Sequence, residues 1–141
     1  MIGAAPALPY SAWMKAQRAE HPDLLAGHDA ARRFFEPRLT GPEAGKQLWV
    51  AHLDRGARCL ELDRHDLAEG TRSMTIDDIL DDAARLGSAG LMIARAGQLG
   101  DEAMIRRLAE AAEAMDVALV DSLSLDDKGR WHSARRSGRL I

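Results

Sequence analysis

The sequence predicts an α/β domain with a central mixed sheet flanked by helices. Helical and strand periodicities interleave along the chain: two helices, a hairpin, a helix, a strand, a helix and a final hairpin. Leu91-Met92-Ile93-Ala94 is too short for a helix and is bracketed by glycines, as a central strand would be. The length of 141 residues suits one domain and buries enough surface to fold without staples.

Residues 1–27 are expected to be an N-terminal arm with a short helix, and residues 28–141 the domain. Ser11 can cap a helix to about Glu20, which His21-Pro22-Asp23 breaks, because proline forces its predecessor out of helical geometry. Asp29 is expected to cap a second helix, with Ala30, Ala31, Phe34 and Phe35 as its apolar side and Pro37 ending it. Thr40-Gly41-Pro42 reads as a loop. Gln47–Leu53 and Arg58–Leu62 read as strands joined through Asp54-Arg55-Gly56, with Gly56 supplying a positive φ. Glu69-Gly70-Thr71 marks a turn.

Thr75-x-x-Asp78 predicts a capping box, with Ile76, Ile79, Leu80, Ala83 and Leu86 at helical spacing and Gly87 as the stop. Asp101 is expected to cap a helix to about Met115, with Met104, Leu108, Ala111, Ala112 and Met115 inward. Val117–Val120 reads as a buried strand and Ser122–Leu125 continues it in strict alternation. Asp126–Gly129 turns, and Arg130–Ser133 is the last strand.

A formal net charge of -3 argues against a dedicated nucleic-acid binder. Charge is nevertheless uneven. Asp77, Asp78, Asp81 and Asp82 concentrate acid, whereas Lys128, Arg130, Arg135, Arg136 and Arg139 form a basic tail suited to an anionic partner. Cys59 is the single cysteine, which excludes an intramolecular disulfide and reads as a small buried hydrophobe. Apolar runs fall short of the ~20 residues needed to cross a bilayer, and the first residues do not read as a signal peptide, so a cytoplasmic location and no membrane partner are expected. His21, His28, His52, His65 and His132 show no His-x-His or His-x-x-x-His spacing. Gly97-x-x-Gly100 lacks the Gly-Lys-Ser/Thr element of a phosphate loop, although a helix start beside Arg95 can favour an anion.

Several segments in order resemble one family. Asp29–Leu39 is similar to an opening helix, Leu48–Asp54 to a first core strand ending in Leu-Asp, and Gly70-Thr71 to the Gly-Thr after a second strand. Ala89–Ala94 resembles a strand leading into a metal motif, Val117–Ser122 a strand ending in Asp-His, and Trp131–Gly138 an aromatic-x-Ser…Gly close. Together, over roughly residues 28–141, they resemble the RadC-like branch of the JAB/MPN (JAMM) domains. The resemblance implies a JAB/MPN-like, cytidine-deaminase-like sheet. In that family two His and an Asp hold a zinc ion, a Glu is the base and a Ser supports the oxyanion.

Carried onto this chain, the machinery is missing. Arg95 stands at the first His and Gly97 at the second, and Ser122 replaces the His of Asp-His while Asp121 is kept. The base position falls near His65-Asp66, with Glu61 and Glu69 as alternatives. Arginine is always charged and cannot ligate a metal, and glycine has no side chain to offer. The resemblance therefore implies a degenerate domain with no cofactor, zinc being expected for the family but its ligands absent. Asp66, Arg95, Gly97, Asp121, Ser122 and His132 would line the remnant pocket.

The expected function is a non-catalytic protein-binding or scaffold module whose partner is an unknown protein, with a homodimer through Ala-rich helices and Trp13 also open. The alternatives are a metal-dependent peptidase- or isopeptidase-like hydrolase with a site re-assembled from Asp66, Asp121 and His132, or a DNA-repair-related protein binding DNA weakly through the basic tail.

Overall fold

In the computed structural model, which describes residues 24–42, 44–66, 72–97 and 102–138, five strands form one sheet. They are β1 (Gln47–Leu53), β2 (Cys59–Asp66), β3 (Gly90–Ala96), β4 (Ala118–Leu125) and β5 (Trp131–Ser133). The helices are α1 (His28–Phe35), α2 (Arg72–Leu86) and α3 (Glu102–Glu113). The strand order is β2-β1-β3-β4-β5, with β3 and β4 parallel and the other neighbours antiparallel. The α/β class and the mixed sheet thus agree with the sequence reading. The expected arm helix at 11–20, the Glu69-Gly70-Thr71 turn and the Asp101 cap lie outside the described residues.

The sheet is covered on both faces. On one, Leu48, Val50, Leu91, Ile93 and Leu119 meet Ile76, Ile79 and Ala83 of α2 and Met104, Leu108 and Ala112 of α3. On the other, Ala51, Leu53, Met92, Ala94 and Leu123 meet Leu25, Ala31, Phe35 and Leu39 of α1 and its flanks. Two-sided cover explains why β3 reads as a continuous apolar run rather than an alternation. At Gly90 a Cβ would lie 3.1 Å from Val120 Cγ2 of the neighbouring strand, a tight contact that a glycine avoids.

Several element boundaries differ from the sequence expectation. The helix after residue 71 begins at Arg72, so Thr75 lies inside it, buried, and the Thr75/Asp78 capping box does not mark its start. Packing of Ile76 and Ile79 on the sheet outweighs the local capping signal. The α1 N-cap is Gly27 rather than Asp29, which instead pairs with Arg32 at 2.9 Å one turn on. Helix α3 stops at Glu113, and Met115, expected inward, is 39% exposed. Asp116 adopts a left-handed φ of 60° there, and Val117 N–H returns to the Ala112 carbonyl at 2.9 Å. Strand β2 runs on to Asp66 because it pairs with the whole of β1, Gln47 opposite Asp66.

Both hairpins use one loop design. Asp54 Oδ1 accepts from the N–H groups of Gly56 and Arg58, and Asp126 Oδ1 accepts from those of Lys128 and Arg130. The fourth loop residue is left-handed in each: Ala57 at φ 65° and Gly129 at 78°. The positive φ therefore falls on Ala57, one residue beyond the expected Gly56. Cys59 is buried, as a small hydrophobe should be.

Candidate functional site

The end of β3 is where the resemblance places zinc. In the β3–β4–β5 register Arg95 lies opposite Ser124, and Ser124 opposite His132. Side chains alternate along a strand, so Arg95, Ser122, Ser124 and His132 share the face covered by α2 and α3. His132 Nε2 lies 3.0 Å from Asp126 Oδ2. That hydrogen bond, and then the Arg130 N–H, hold the Asp126 carboxyl below its ordinary value. Gly97 has φ 101° and donates its N–H to the Leu125 carbonyl at 2.8 Å. Any side chain at this position, histidine included, would be strained.

The other residues of the expected pocket lie elsewhere. Asp121 is paired with Met92 on the α1 face, opposite in direction to its neighbour Ser122. Asp66 is exposed on the edge strand β2, opposite Gln47 and on the α1 face. A re-assembled site of Asp66, Asp121 and His132 is therefore not formed, because strand alternation and sheet order separate the three. Glu61 lies near the other end of β2, away from the base position. The basic tail is divided as well. Lys128 and Arg130 flank the β4–β5 hairpin tip, Arg135 and Arg136 follow β5, and Arg139 lies outside the described residues.

A cleft of about 310 Å³ opens on the α1 face, lined by His28, Ala31, Met92, Asp121, Arg135 and Arg136 among others. The Asp121 carboxylate at its wall holds three hydrogen bonds. It accepts from Ser122 N–H at 2.7 Å, Ser133 Oγ–H at 2.5 Å and Arg135 N–H at 3.0 Å. His28 Nδ1 is buried and makes no hydrogen bond. Burial, then the nearby guanidinium groups of Arg136 and Arg32, push the His28 pKa down from 6.5.

A folded pKa below the unfolded one means that protonation opposes folding. The contribution of neutral His28 is therefore complete above pH 6.5 and declines as pH falls through the folded midpoint. Arg136→Ala is expected to move that midpoint upward in an NMR titration of the imidazole. A midpoint that does not move would remove Arg136 from the cleft's electrostatics.

A second cluster lies at the opposite end of the sheet and was not anticipated. His52 and Glu61 are cross-strand partners in β1 and β2, and Asp63 follows two residues on, on the same face. Asp82 of α2 completes a group whose donor atoms all lie within 4.8 Å of one another. His52 is 0% exposed and Glu61 2%. Helix α2 ends at Gly87, left-handed at φ 65°, and Ser88 N–H returns to the Ala83 carbonyl at 3.0 Å. That turn leaves the Ser88 hydroxyl 3.0 Å from His52 Nδ1. Arg85 approaches Asp82 at 3.0 Å and Glu61 at 3.6 Å.

The sequence did hold a signal for this cluster. A histidine interrupts the apolar run Val50-Ala51-His52-Leu53, and Glu61-x-Asp63 follows the hairpin at the same face parity. Searching for His-x-His spacing alone passes over it. Among the described residues, no helix is long and apolar enough to cross a membrane. No protein-family profile matches the chain, and no match is found among curated proteins.

Proposed function

We propose that this chain is a RadC/JAB-like domain that lacks the family zinc site and works as a non-catalytic protein-binding module. Its recognition site is the α1-face cleft, and the group recognised is a carboxylate of the partner protein. The cleft itself carries the reading: Arg135 and Arg136 line it beside His28, whose Nδ1 makes no hydrogen bond. Guanidinium groups favour carboxylates because their planar fork can donate two hydrogen bonds. The loss of catalysis rests on Arg95 and the strained-for-histidine backbone at Gly97.

A glutamate-rich peptide titrated into the protein at low salt is expected to shift the amide resonances around His28, Arg135 and Arg136. Arg135→Ala/Arg136→Ala should abolish those shifts. Peptide and isopeptide substrates should show no turnover, with or without added Zn²⁺. Absence of any peptide-induced shift in the cleft would refute the binding role. Chelator-sensitive turnover would refute the non-catalytic one. Duplex DNA that displaces the peptide with a steep salt dependence would replace a protein partner with nucleic acid.

A further inference from the structure

We propose that His52, Glu61, Asp63 and Asp82 bind one divalent transition-metal cation of the Zn²⁺/Mn²⁺ class, which ties the β1–β2 hairpin to α2. The first support is the convergence of four donor atoms within 4.8 Å of one another. Metal–donor bonds of ~2.0–2.2 Å place donors on opposite sides of an ion ~4.2 Å apart, so modest side-chain adjustment closes the site.

The second support is the buried histidine itself. His52 Nε2 is inaccessible and makes no hydrogen bond, yet it lies 3.4 Å from Asp63 Oδ2. Ser88 Oγ engages Nδ1, so Nε2 is the ring nitrogen that faces the carboxylates. In the tautomer with its proton on Nδ1, Nε2 presents a lone pair toward Asp63 Oδ2, an arrangement that a cation bound by both atoms satisfies. A histidine oriented through its other nitrogen by a hydroxyl or carbonyl is the usual support of a metal ligand.

The donor set of one imidazole nitrogen and carboxylate oxygens, with no thiolate, suits a borderline ion better than an all-oxygen ion such as Ca²⁺. Asp63 and Asp82 are the partly exposed members, at 19% and 30% by side chain, so water can complete the shell from their side. The site is distinct from the β3 end. His52 pairs with Leu91 near the start of β3, four residues or ~13 Å from Arg95.

The test is a Co²⁺ titration of the full chain after treatment with EDTA and dialysis, read by visible absorption, with Zn²⁺ as competitor. One equivalent of Co²⁺ should bind and be displaced by Zn²⁺, and Zn²⁺ should raise the thermal midpoint. Asp82→Asn, on the helix surface, should weaken Co²⁺ binding about tenfold or more with an unchanged circular dichroism spectrum. Arg85→Ala, which removes a competing positive charge, should tighten it severalfold. Absence of saturable binding overturns the proposal. Binding that neither variant alters overturns it too, because the ion would then sit elsewhere. Neither result bears on peptide recognition in the α1-face cleft.

Discussion

Phe35→Ala is expected to destabilise the protein by about 3–5 kcal/mol, the range for truncating a fully enclosed aromatic side chain. Phe35 is 0% exposed and packs with Leu25, Ala31, Leu39, Ala51, Leu53 and Met92, which together hold the short α1 on the sheet. An eight-residue helix has little stability of its own, so this contact decides whether the α1 face is covered at all. Phe34 is the internal control. It meets Phe35 edge-on at 5.1 Å and carries the Arg38 guanidinium 4.6 Å above its ring, but it is only half-buried. Phe34→Ala should cost less than half as much. Urea unfolding measures both. A Phe35→Ala loss under about 1 kcal/mol would mean that α1 is not a structural layer. Because His28 begins the same helix and lines the cleft, Phe35→Ala should also weaken peptide binding.

The positions that local chemistry controls were the legible ones. Gly87 stops α2, the Asp126–Gly129 turn closes the last hairpin, and the Leu91–Ala94 run is the central strand, each because its own residues determine the backbone. What sequence could not supply was the assignment of faces. A β-bulge shifts the register of β3 on β4 between Leu91 and Met92, and it decides that Asp121 looks toward α1 while Ser122 looks toward α2 and α3. The residues expected to line a single pocket come from β2 to β5, and alternation divides them between the two faces of the sheet. The His52 cluster was missed for the converse reason. Its members are separated by up to thirty residues, and only hairpin register together with the docking of α2 brings them together. The acidic run at Asp77–Asp82 was visible, but which of its carboxylates turns toward the sheet depends on the helix's rotation about Ile79 and Ala83.

Asp121→Ala is expected to cost about 3 kcal/mol, because hydrogen bonds to a charged acceptor contribute ~1.5–3 kcal/mol each and do not add fully. The substitution leaves the N–H groups of Ser122 and Arg135 and the Ser133 hydroxyl without this acceptor. Ser133 in turn accepts from Arg136 N–H at 3.1 Å and, through its carbonyl, from the Ser137 hydroxyl at 2.9 Å, so Asp121 also supports the start of the turn after β5. Ser133→Ala alone should cost about 2 kcal/mol, and the double variant less than the sum, since both remove the same bond. Asp121→Asn keeps one acceptor oxygen and should fall between. This series separates two reasons for an aspartate at this place. A metal ligand would lose the ion on replacement by asparagine while the turn stayed intact. An anchor for the turn would lose stability and the fixed placement of Arg135 and Arg136, so peptide affinity should fall in step with stability while Co²⁺ binding at the His52 cluster, on the other face of the sheet, is unchanged. The three donors already on the carboxylate favour the anchor: the turn after β5, and with it the cationic wall of the cleft, is tied to the sheet through Asp121.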